Sequence, residues 1–214
     1  MKKLEFFMVL ALVLAVLALT PSSLQAAWVG NDLEGSGGEK SSQTEGFIID
    51  GASYFLQSYA DILLILNESE IGLKNGIHGE RVFQLVETAR DKLETAIKQY
   101  SLALALIKKT VFSETWLQTL KTFDYEGLAA ARHLHPDVMQ QVSAFLSNCD
   151  VVGLYQRLLD NMKKLQTQLQ EMAKNAPNGI LPGMEQLRTL YQLYSDSMLL
   201  GYYTSLALST IKSL

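Results

Sequence analysis

This sequence predicts an all-α fold: a helical bundle of four long helices with shorter connecting helices, preceded by a signal peptide and a flexible leader. Three observations carry that expectation. From Val151 to Met172, apolar side chains fall at Val151, Tyr155, Leu158, Met162, Leu165, Leu169 and Met172, in steps that alternate four and three. A second stretch keeps the same steps through Val82, Val86, Ala89, Leu93, Ala96, Tyr100, Ala103 and Ile107. No strand-length alternating run stands out anywhere, which leaves helix-on-helix packing as the way to bury these seams.

The chain opens with Met1-Lys2-Lys3, runs unbroken and apolar from Phe6 to Leu19, and exits through Thr20-Pro21-Ser22-Ser23-Leu24-Gln25-Ala26-Ala27. A positive start, a short apolar centre and small residues after it are the pattern of a secretory signal peptide. The run falls short of the roughly 20 apolar residues that a membrane-spanning helix needs. Residues 1–26 are expected to be cleaved after Ala26, which places the mature chain in the periplasm or outside the cell with no integral membrane span. No cysteine follows the apolar run, so the residue that a bacterial lipoprotein acylates is missing. Residues 27–45, rich in Gly, Ser, Asn and charge around Gly35-Ser36-Gly37-Gly38, read as a flexible leader. Residues 46–214 are expected to form a single helical-bundle domain.

Ser42-Gln43-Thr44-Glu45 fits a capping box, in which the serine and the glutamate each satisfy a free backbone N–H of the first turn. A helix from Gly46 to Asn67 would follow. Its Phe47, Ile48, Tyr54, Phe55, Tyr59, Ile62, Leu63 and Leu66 lie on more than one face, which predicts central burial. The glycines between Asn67 and Gly79 predict a loop. Glu80 to Phe112 reads as the second long helix, and Ala89, Ala96 and Ala103, seven apart, invite close approach of a neighbouring backbone.

Three shorter helices are expected next, capped by Ser113 and Asp124 and opened by Pro136. The organising helix runs from Asp150, its cap, to Asn175, where Asn175-Ala176-Pro177-Asn178-Gly179 stops it. At ~1.5 Å per residue it is about 39 Å long, and its narrow seam is not stable alone in water. Pro182 opens the last helix, with Leu187, Leu190, Tyr191, Tyr194, Met198, Tyr202 and Leu206 on one face. The stretch between Asp196 and Lys212 carries no charge, but it is too short and too rich in Ser, Thr and Tyr to span a membrane.

Composition excludes several classes. Loss of Lys2, Lys3 and Glu5 with the leader makes the net charge of −4 one unit more negative. Lys and Arg form no run and no patch interleaved with aromatics, so nucleic acid is not an expected partner. Hydrophobic residues at 48% of the chain suffice to bury roughly 70% of the unfolded surface without disulfide or metal. Cys149 is the single cysteine, which rules out an internal disulfide and any site built on paired cysteines.

Candidate chemistry is sparse. His133, His135 and Asp137 are metal-ligating residue types within five positions. Pro136 holds His135 toward an extended backbone, so a helix-junction role competes with ligation. No Glu-x-x-His pair occurs, so the bundle di-iron pattern is absent. No Gly-x-Ser-x-Gly elbow and no phosphate-cradling glycine loop is present. Ala96 to Leu106 resembles the second helix of a tetratricopeptide repeat, without a second copy at the period of about 34 residues. Gly76-Ile77-His78-Gly79-Glu80-Arg81 is faintly similar to the Gly-x-His-x-x-Glu of exported imelysin-type proteins, but Arg81 stands where the glutamate belongs.

Tyr191, Tyr194, Met198 and Tyr202 form a stripe suited to a core, an interface or a ligand pocket. The expectation is therefore a non-enzymatic exported bundle without a cofactor. It would act through a protein partner or self-association, or as an envelope accessory or structural component. The alternative is a periplasmic carrier that holds a hydrophobic small molecule or lipid between helices, in a cavity between the tyrosine stripe and the apolar helix from Gly46.

Overall fold

The computed structural model describes residues 37–75, 79–175 and 182–212. Among them every regular element is an α-helix, with no strand. The helices are α1 (Gly37–Asn75), α2 (Glu80–Ile107), α3 (Glu114–Thr122), α4 (Tyr125–Arg132), α5 (Pro136–Leu146), α6 (Val151–Asn175) and α7 (Met184–Lys212). The expected signal peptide at 1–26 lies outside the described residues, as does most of the expected leader.

Helices α1, α2, α6 and α7 form a closed circuit in which each packs on the next, and the α1–α7 side is the thinnest. Gly51 lies against Tyr100 and Glu68 pairs with Arg81 at 3.4 Å, so α1 and α2 run antiparallel. Leu158 and Gly201, equally far from the α6–α7 connection, face each other, so that pair is antiparallel too. The three short helices fill the span between α2 and α6, and α5 packs on α6 and α7.

The two heptad seams behave as their periodicity requires. Every seam residue named for α2 and α6 is buried, and the helices add Leu104 on α2 and Leu154 and Leu159 on α6. Capping chemistry also works where the sequence places it. Ser113 accepts from the N–H of Trp116 at 3.3 Å, Asp124 from Gly127 at 2.8 Å and Asp150 from Gly153 at 2.7 Å. Pro136 stands in the first turn of α5.

Several boundaries differ from expectation. Helix α1 starts at Gly37, so Ser42–Glu45 lies inside a helix and is not its N-cap, and residues 37–45 are helical rather than part of a leader. It also runs on to Asn75, through most of the expected loop. Between the glycines these segments consist of good or tolerable helix formers, so the roughly 1 kcal/mol that each helical Gly costs does not end the helix. Helix α2 stops at Ile107, before Thr110 and Val111; Val111 is 87% exposed and has no core to join.

Central burial of α1 is also corrected. Tyr54 and Leu64 are exposed, because α1 packs along α2 and only lightly on α7. Helix α7, by contrast, is buried on a second face through Leu200, Tyr203 and Ala207, which its single predicted stripe omits. Tyr203 accepts a 2.6 Å hydrogen bond from the main-chain N–H of His135, tying α7 to the start of α5.

His133 and Cys149 have positive φ, 54° and 58°. Each follows a helix in the same way. The N–H groups of His133 and Leu134 reach back to Ala130 and Ala129, and those of Cys149 and Asp150 to Leu146 and Phe145. This double bond pattern normally carries glycine at the left-handed position. His133→Gly should therefore stabilise the protein by about 0.5–1 kcal/mol, because the side chain is exposed and only the backbone strain is removed. Urea unfolding reads this as a higher midpoint at unchanged slope; a lower midpoint would mean that the imidazole itself holds the junction. Cys149→Gly should gain less, since it also loses the 3.4 Å contact of Sγ with the carbonyl of Leu117.

Candidate functional site

The circuit is tied together at one level by Tyr194. Its ring is fully buried, stacked on Phe55 with centroids 5.4 Å apart and tilted against Tyr59 at 5.9 Å. Ser58 on α1 donates to the main-chain carbonyl of Ala89 on α2 at 3.1 Å. A serine has a single proton, so the 2.5 Å contact between the Ser58 and Tyr194 hydroxyls has Tyr194 as donor. Ser58 reaches the α2 backbone because Ala89 presents only a methyl group there. One turn along, Lys92 on α2 pairs with the nearly buried carboxylate of Asp61 on α1 at 2.7 Å.

On the other side of Tyr194, α1 and α7 part and leave an apolar cavity of about 100 Å³. Its α1 wall is Ile48, Ala52, Phe55 and Leu56; Tyr100 comes from α2, and Leu158 and Met162 from α6. The α7 wall consists of Ser197, Met198, Gly201, Tyr202, Ser205, Leu206 and Ser209. Ser197, Gly201, Ser205 and Ser209 recur every four residues, so a strip of small side chains runs down this side of α7. Such a strip would normally let two helices close up. Here the stacked Phe55 and Tyr194 rings sit at the head of the gap and α1 stays off. A Cβ on Gly201 would meet only Leu158, at 3.8 Å, so there is room for a larger side chain.

No Lys, Arg, Asp, Glu or His lines the cavity. Its serine hydroxyls turn inward on their own helix: Ser197 donates to Leu193 at 2.7 Å, Ser205 to Gly201 at 3.0 Å and Ser209 to Leu206 at 2.9 Å. The hydroxyls of Tyr100 and Tyr202 have no hydrogen-bond partner among the described residues.

The expected stripe therefore divides. Tyr194 is a core tie, Met198 and Tyr202 are cavity wall, and Tyr191 is half-buried beside Tyr59. His133, His135 and Asp137 are exposed around the α4–α5 junction, and no group of three or more His, Cys, Asp or Glu side chains converges among the described residues. Among the same residues, no helix is long and apolar enough to cross a membrane. Gly51, Ser58 and Asp61 went unmarked in the sequence. The available signal was two small or polar residues seven apart, and a carboxylate three later, on the core side of an apolar helix.

Burial pushes the Tyr59 hydroxyl up to about 12, with the neighbouring Tyr191 adding to the rise. Burial also raises Tyr100, Tyr125 and Tyr194 above their usual 10.0, assisted by Cys149 at Tyr125 and by Asp61 at Tyr194. No family model, curated protein or solved structure matches this chain.

Two predictions follow from this geometry. Ser58→Ala leaves the buried Tyr194 hydroxyl unpaired and should cost about 1–3 kcal/mol, whereas Tyr194→Phe leaves Ser58 bonded to Ala89 and should cost about 1 kcal/mol. The double variant should be more stable than the sum of the single losses implies, as measured in a double-mutant cycle; strict additivity would show that the two hydroxyls do not interact. The four raised tyrosines also set an alkaline limit. Above pH 10 the unfolded chain releases phenolic protons that the native chain keeps, so their contribution is complete below 10 and falls as pH rises through the folded values. Spectrophotometric titration of the native protein should show Tyr59, Tyr100, Tyr125 and Tyr194 ionising late, with normal ionisation after unfolding in urea.

Proposed function

We propose that this chain is an exported, non-enzymatic helical bundle whose role is to bind an apolar small molecule or lipid chain between α1 and α7. The single observation that supports this reading is the apolar cavity walled by Met198 and Tyr202 on one side and by Ile48, Ala52 and Phe55 on the other. At about 100 Å³ it is smaller than the roughly 150 Å³ apolar cavity that takes benzene. It therefore suits one end of an acyl compound, with the rest of the molecule lying along the α1–α7 groove. The scarcity of converging acid, base or nucleophile side chains fits binding better than catalysis.

A second reading, contact with a protein partner or with another copy of the chain, draws on exposed apolar side chains. Leu64 is 46% exposed, Leu102 40% and Val111 87%. Export remains part of the proposal on the strength of Met1 to Ala27, and amino-terminal sequencing of the protein recovered from its own compartment would test it.

Native mass spectrometry of that material distinguishes the two readings. A tightly held lipid-sized mass on one chain supports the cavity, and a second chain supports the contact surface. Gly201→Leu, which points a side chain into the cavity, and separately Ala52→Phe should each abolish the added mass and displace a fluorescent acyl probe. Their melting temperatures should be equal to or above that of the parent, because a cavity is filled and at Gly201 a helix-interior glycine is replaced. Unchanged probe binding in both folded variants would remove the cavity from consideration.

A further inference from the structure

We infer that the α1–α7 cavity selects uncharged acyl compounds, such as esters or alcohols, over free carboxylates, with the Tyr100 hydroxyl as the group that donates to the ligand. The inference rests on the apolar-ligand reading above and narrows its ligand class. The cavity wall carries no cation and no acid. A carboxylate drawn into it would shed its hydration with no positive partner, at an effective cost of several kcal/mol per ion.

The wall is not free of polar atoms, and their state decides the sign of the selection. The protons of Ser197, Ser205 and Ser209 are committed to carbonyls of α7, so these residues turn mainly oxygen lone pairs toward an occupant. Lone pairs repel a carboxylate and can accept from an alcohol. Tyr100 is different: it is 8% exposed, lines the cavity from α2, and its hydroxyl has no hydrogen-bond partner among the described residues. With no acceptor in the protein, this hydroxyl is free to donate to a ligand carbonyl or hydroxyl. The close seat of Tyr100 is set by Gly51, where a Cβ would stand 2.8 Å from the Tyr100 ring. The glycine thus positions this phenol across the helix pair.

The test compares monolauroylglycerol with laurate, which share one acyl chain, by displacement of an uncharged fluorescent acyl probe. It uses the mature protein at about pH 8, where a free carboxyl with a usual pKa near 4 is ionised. The monoester should bind at least about ten-fold more tightly than laurate. Tyr100→Phe should weaken the monoester about five-fold, the scale of one lost hydrogen bond, and leave laurate unchanged. Gly201→Leu should abolish both. Laurate binding as tightly as the monoester, in a manner that Gly201→Leu still abolishes, would overturn the selection for neutral ligands and leave the cavity reading standing. Binding of the monoester that ignores Tyr100→Phe would overturn the assigned donor. Displacement by neither compound would overturn this inference and the apolar-ligand reading together.

Discussion

A tyrosine hydroxyl at the centre of a helix bundle has to be paired, and in this protein the pairing fixes where three helices stand. Tyr194 is fully buried, and its proton goes to Ser58, whose own proton goes to the main-chain oxygen of Ala89. Both bonds hold only while α7, α1 and α2 keep their spacing at that level. An unpaired phenol so deep would cost more than the bond itself contributes. The heptad seams of α2 and α6 are buried along their length, but they leave the lateral position of α1 and α7 open. This relay sets it.

What lies on either side of the relay follows from that spacing. Toward one end, the gap between α1 and α2 is closed by the Asp61–Lys92 pair, whose partly buried charges are tolerable because they face each other at 2.7 Å. Toward the other end, the small residues of α7 leave space before the apolar α1 wall, and the Phe55–Tyr194 stack keeps α1 away. The cavity is thus the complement of a well-packed knot: the same aromatic rings that fill the centre hold the walls apart below it. Its emptiness of charge is a consequence of the uncharged stretch between Asp196 and Lys212, which forms its α7 wall.

Much of the fold was legible in the sequence, residue by residue. The seams from Val82 to Ile107 and from Val151 to Met172 are buried as their steps of four and three require, and Ser113, Asp124, Asp150 and Pro136 act at helix starts as local chemistry dictates. The misreadings share a cause. Ser42–Glu45 has the residues of a capping box, yet the helix runs through it. The glycine-bearing segment after Asn67 reads as loop, yet it is helical to Asn75. In both places α1 continues as a helix past a local boundary signal. Short-range signals name plausible helix ends without fixing which of them the chain uses.

The candidate site was half legible. The stripe Tyr191, Tyr194, Met198 and Tyr202 was visible, as was its ambiguity between core and pocket, because a tyrosine suits either. The sequence alone determined the helical class, the registers of two seams, most caps and the lack of charge between Asp196 and Lys212, since each depends on neighbours within one or two turns. Only the tertiary structure decided that Tyr194 closes the core while Met198 and Tyr202 border a cavity, and that Tyr100 joins them from another helix. Those outcomes depend on the distance between helices, which is set by which side chains meet across them: Ser58 with Tyr194, Gly51 with Tyr100, and a serine–glycine strip with nothing large enough to fill the gap.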